Sequence, residues 1–108
     1  MRSFDPATLP IGIPWCRKEN YDAFRAMLED GNHTPKTWEL FAKLAEKFEQ
    51  ECQAKGSVVF RVEIDPHTFP GWCDFHGHRI NTQSCHLFAT ERVLGNAKRR
   101  LRRQLEDI

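Results

Sequence analysis

Ser57-Val58-Val59-Phe60-Arg61-Val62-Glu63-Ile64-Asp65-Pro66 is the stretch on which the fold turns. Val58, Phe60, Val62 and Ile64 alternate with Val59, Arg61 and Glu63, the period of a strand with one apolar face. Gly56 and Asp65-Pro66 bound it. The spacing predicts a strand over 57–64, its apolar set turned inward and Val59, Arg61 and Glu63 on a mostly wet face.

A strand needs a neighbour, and the one upstream candidate is unusual. Leu9, Ile11, Ile13 and Trp15 alternate with Pro10, Gly12 and Pro14, so a strand period is interrupted by residues that weaken strands. Pro10 and Pro14 are four apart. In an extended chain both missing N–H groups then lie on the same edge, which leaves the other edge free to pair. Residues 9–15 are read as an edge strand.

Between the two strands lie two helical patterns. Asn20 is a suitable N-cap, Tyr21, Phe24 and Leu28 share a face, and Gly31 suits the left-handed position after a helix over 20–30. Thr34-Pro35 repeats the cap-then-proline start. Trp38, Phe41, Leu44, Ala45, Phe48 and Cys52 then draw one apolar stripe to Lys55, with Gly56 as stop. Downstream, Asp65 to Thr68 can cap a short helix in which Phe69, Trp72, Cys73 and His76 share a side and Gly77 closes the end. Asn81 or Thr82 opens a last helix, with Leu87, Leu94, Leu101 and Leu105 along one flank and Gly95-Asn96 as a point of bending or division.

The order strand, helix, helix, strand, helix, helix gives an α+β fold of four or five helices on a minimal two-stranded sheet. So long a helical connection forbids a hairpin and requires parallel pairing. Two strands alone are marginal, and prolines block one edge of the first. The free edge of 57–64, through Val59, Arg61 and Glu63, is where a second copy could extend the sheet across a two-fold axis; cover by the chain's own last helix or a loop is the alternative.

Trp15, Tyr21-Asp22, Pro35 and Trp38, the valine-rich strand ending Asp65-Pro66, and Phe69-x-x-Trp72-Cys73 together resemble a group of small bacterial proteins of unknown function, over about residues 9 to 93. The resemblance implies an architecture and supplies no activity, cofactor or partner.

Chemistry-bearing residues are sparse. Cys73-x-x-His76-x-His78 followed by Cys85-His86 is the densest metal-capable set, and Cys73, His76, His78 and Cys85 are the candidate ligands of a structural zinc. The spacing matches no standard zinc module, and Cys73 beside Phe69 and Trp72 reads more readily as a small buried hydrophobe. A cysteine nucleophile paired with His76 lacks a recognisable oxyanion donor or orienting group, so the residues do not point to an enzyme. Cys16, in a polar segment after the first strand, is expected to be exposed. If Trp15 and the Phe69-Trp72 helix converge, a pocket for a small apolar ligand would result.

The chain has 108 residues with sixteen Lys+Arg against fifteen Asp+Glu, which fits one soluble domain over 1–95. Lys98, Arg99, Arg100, Arg102 and Arg103 concentrate positive charge in a helical extension over 96–108, while the rest of the chain is net acidic. That extension is either a solvated helix or a weak contact for nucleic-acid phosphates, an acidic partner or a membrane surface. No export signal or membrane span is recognisable, and a cytoplasmic location with reduced thiols is expected. The expected role is a protein-interaction or self-associating module.

Overall fold

The computed structural model describes residues 10–106, with side chains described over 10–95. Among these the elements run β1 (Ile11–Trp15), α1 (Tyr21–Met27), α2 (Trp38–Ala54), β2 (Val59–Glu63), α3 (Phe69–His76) and α4 (Thr82–Glu106), with 3₁₀ turns before and after α1. This is the expected α+β order. No helix among the described residues is long and apolar enough to cross a membrane.

β1 and β2 pair in parallel, with Ile11 opposite Val59, Ile13 opposite Arg61 and Trp15 opposite Glu63. The Ile11 N–H donates to Val58 O and the Ile64 N–H to Trp15 O, both at 2.8 Å. Since backbone direction alternates, the nitrogens of Pro10, Gly12 and Pro14 face away from β2. The prolines therefore sit where a missing N–H costs the ladder nothing. Leu9, the first residue of the expected strand, lies outside the described residues.

The two sheet faces receive different helices. On one, α4 approaches so closely that a Cβ at Gly12 would lie 2.4 Å from Ala89 O and 2.7 Å from Val93 Cγ2. Glycine in this strand is a condition of helix contact. Val62, Ala89 and Val93 form a small buried cluster there, with Phe88 beside it. The buried flank of α4 is Cys85, Ala89 and Val93, while Leu87, expected on the apolar flank, is exposed. On the other face Trp15 meets Trp38 and Phe41 of α2 at ring-centroid distances of 5.9 and 5.7 Å. The main core joins Cys16, Tyr21, Phe24, Leu28, Ile64, Phe69, Cys73 and Cys85 where α1, α3 and the start of α4 meet.

Several local expectations are corrected. Thr37, not Thr34, caps α2, its hydroxyl accepting from Leu40 N. Thr34 instead donates to Gly31 O and accepts from Arg25 Nε, while Pro35 O accepts from Tyr21 OH, so residues 34–37 form a strap laid across α1. Gly31 is not left-handed; among the described residues only Gly56 and Gly77 have positive φ. It is glycine because a Cβ would lie 2.1 Å from Arg25 O. α4 runs unbroken through Gly95-Asn96, since one glycine weakens a helix by about 1 kcal/mol without ending it. Gly77 closes α3 as expected, at φ 71°.

α4 starts where two caps coincide. Asn81 Oδ1 accepts from Ser84 N at 2.9 Å, and the Asp30 carboxylate accepts from Thr82 N and Thr82 Oγ1. Burial raises the Asp30 pKa, but the Thr82 hydrogen bonds outweigh it and hold the carboxyl below its usual value.

Candidate interaction surface

β2 has a strand on one side only, because the sheet among the described residues has two members. The Ile64 N–H points to β1, so those of Phe60 and Val62 do too, and those of Val59, Arg61 and Glu63 point outward. The three residues singled out from the sequence are thus the ones presented at the open edge.

The apolar face beside that edge is only half covered. Val62 and Ile64 are buried, whereas Phe60 is 46% and Val58 52% exposed. The cause is the position of α4, drawn over β1 by the gap at Gly12, which leaves the start of β2 beyond its reach. Alternation had placed all four side chains inward; it says which residues share a face and nothing of how wide the covering element is.

The charges on the opposite face are already matched within the chain. Arg61 donates from Nε to Glu49 Oε2 at 2.7 Å and from Nη2 to Glu49 Oε1 at 2.8 Å, and its guanidinium lies 4.0 Å from the Trp15 ring centroid. The Arg61 hydrogen bonds hold the Glu49 carboxyl below its usual pKa. Glu63 is paired with Arg17. Arg61 thus ties this face to α2, while Arg61 and Glu63 remain exposed as expected.

A second apolar region flanks α2, none of whose residues is buried. Leu40, Leu44 and Phe48 are exposed, and a groove of about 290 Å³ runs between Leu44 and Phe48 on one side and Ile13, Phe24 and Cys85 on the other. His33 and His86 stand among its lining residues. Burial pushes the Cys85 thiol up to about 12, so it is no nucleophile at neutral pH.

The four candidate zinc ligands are divided between core and surface. Cys73 and Cys85 are buried in the main core, and burial raises the Cys73 pKa as well. His76 and His78 lie outside it against Trp72, at 4.7 and 5.4 Å between ring centroids. Among the described residues no three His, Cys, Asp or Glu side chains come together as a metal-binding group. All four cysteines are free.

Cys16, expected at the surface, is fully buried, its thiol pushed up to about 11 by burial and then by nearby Glu63. The Trp38 indole N–H donates to its carbonyl and closes the strand end over it. Trp15 and the Phe69-Trp72 pair do not share a pocket: Trp15 packs with Trp38 and Phe41, whereas Phe69 and Trp72 stack with each other and meet Phe88 edge-on. Phe75 projects from α3 at 85% exposure. The backbone of 98–103 is helical, and the side chains of Lys98, Arg99, Arg100, Arg102 and Arg103 lie outside the described residues.

No protein-family model, curated protein or solved structure matches this chain, so the geometry of the β2 edge stands by itself as the basis for a functional reading.

Proposed function

We propose that this chain is a cytoplasmic protein-interaction module whose first partner is a second copy of itself, joined through the outer edge of β2. One observation carries the reading: the open edge at Val59, Arg61 and Glu63 lies beside two large apolar side chains, Val58 and Phe60, that the chain leaves exposed. An isolated two-stranded sheet is marginal in water, and an open strand edge is a template for another strand. Nature usually shields such an edge with proline, lysine or an overlying element. β1 carries the prolines; β2 carries none.

A two-fold pairing of β2 with its copy would make a four-stranded sheet ending on the proline-blocked edges of β1, so assembly stops at two. No larger polymer is expected.

Sedimentation velocity and light scattering across a wide concentration range test the reading. The average mass should rise from one chain towards two and no further. A monomer at every concentration, with the outward amides of Val59 and Arg61 slow to exchange, would show that the edge is covered within one chain.

A further inference from the structure

The same edge specifies how two copies align. We infer that the β2 strands of a self-associated pair run antiparallel with Phe60 on the two-fold axis, opposite the partner's Phe60. This rests on the self-association proposed above.

A two-fold axis perpendicular to a sheet keeps each side chain on its own face, so one residue must sit opposite its own copy. Four registers centre on residues 59–62, and the one centred on Val59 sets Arg61 against the partner's Ser57, whose N–H already goes to Cys52 O. Centring on Arg61 places it against the partner's Arg61, two like charges directly opposed. Centring on Val62 sets Arg61 against the partner's Glu63. Those charges are already matched, Arg61 with Glu49 and Glu63 with Arg17, so a new exposed pair adds little. That register also sends Val58 beyond the apolar overlap, opposite the partner's Pro66.

Centring on Phe60 satisfies every group at once. Val58 stands opposite the partner's Val62, and the two phenylalanine rings meet, which covers the two apolar side chains that the single chain leaves exposed. Val59 and Arg61 exchange backbone hydrogen bonds with the partner's Arg61 and Val59, since both have outward N–H and C=O groups. No like charges oppose each other, and both existing ion pairs survive. Phe60 occupies a non-hydrogen-bonded position, where opposed Cα atoms are about 4.5 Å apart and side chains are closest.

Disulfide trapping reads the register directly. Cys16, Cys73 and Cys85 are buried, so Cys52→Ser removes the most accessible native thiol. In that background Phe60→Cys, Arg61→Cys and Val62→Cys are oxidised mildly at concentrations where the parent is dimeric. Phe60→Cys should cross-link into a covalent dimer at least about tenfold more than either neighbour, because only its opposed Cα atoms fall within disulfide range. Should loss of the ring weaken assembly, the double variant Val58→Cys with Val62→Cys keeps Phe60. It should also cross-link between chains, the two positions being too far apart to bond within one.

Dominant cross-linking at Arg61→Cys or at Val62→Cys alone overturns the register while leaving self-association intact. A parent that stays monomeric at every concentration overturns both.

Discussion

Gly12 has a strand conformation that any residue could adopt, so its side-chain hydrogen is a matter of contact with α4 and not of backbone freedom. Gly12→Ala should therefore force α4 off β1 and destabilise the fold by about 1–3 kcal/mol, seen as a lower urea midpoint at an unchanged slope. A midpoint equal to the parent's would mean that the helix does not approach the strand there. Gly31, by contrast, invited a wrong reading from sequence. A glycine ten residues into a helical pattern reads as a left-handed stop, and only the path of the chain around Arg25 shows that its role is to leave room for a carbonyl. Cys16 failed for the same reason: its polar sequence neighbours say nothing of Trp38, which arrives from more than twenty positions away to cover it.

The strands were legible as elements because proline chemistry and period-two alternation act locally, and even the parallel sense followed from the length of the connection. What each element packs against was less legible. The apolar residues of α2 form one stripe in sequence, yet only part of that stripe packs against the rest of the chain. Trp38, Phe41, Ala45 and Cys52 are half-buried, while Leu44, at 59% exposure, and Phe48 face outward along the groove. The two classes should separate by mutation. Leu44→Ser should change stability by no more than about 0.5 kcal/mol, whereas Phe41→Ala, which strips rings from Trp15, Tyr21 and Phe24, should cost about 2 kcal/mol or more. Equal losses in chemical denaturation would place Leu44 in the core after all. The candidate interaction edge was partly legible too: Val59, Arg61 and Glu63 were identified, but Phe60 was assigned to the interior because the offset of α4 towards β1 leaves no periodic trace.

At the scale of the whole molecule, buried thiols tie stability to alkaline pH, Cys73 in the same direction as Cys16 and Cys85. Burial raises Cys16 to about 11 and Cys85 to about 12 from an ordinary value of 9.0. Both titrate from neutral to charged, so folding favours the protonated thiol. Their contribution is intact below pH 9.0 and drains away as pH climbs towards the folded values, where the unfolded chain has already lost protons that the native chain still holds. The urea midpoint should be level in this respect up to about pH 9 and fall beyond it. Cys16→Ala with Cys85→Ala should make that fall shallower, the remainder belonging to Cys73 and Tyr21, which burial also raises; an identical decline in the double variant would assign it wholly to other groups.

The pairing of Ile11 with Val59 has a consequence for synthesis. The ribbon at Ile11–Trp15 leaves the ribosome long before the segment that completes it, and no closer strand exists among the described residues to occupy it meanwhile. During that interval Ile11, Ile13 and Trp15 would make a ready seed for aggregation. Pro10 and Pro14 interrupt the rim that β2 never uses, so nascent chains could meet two at a time along the rim that awaits β2 but could not stack further.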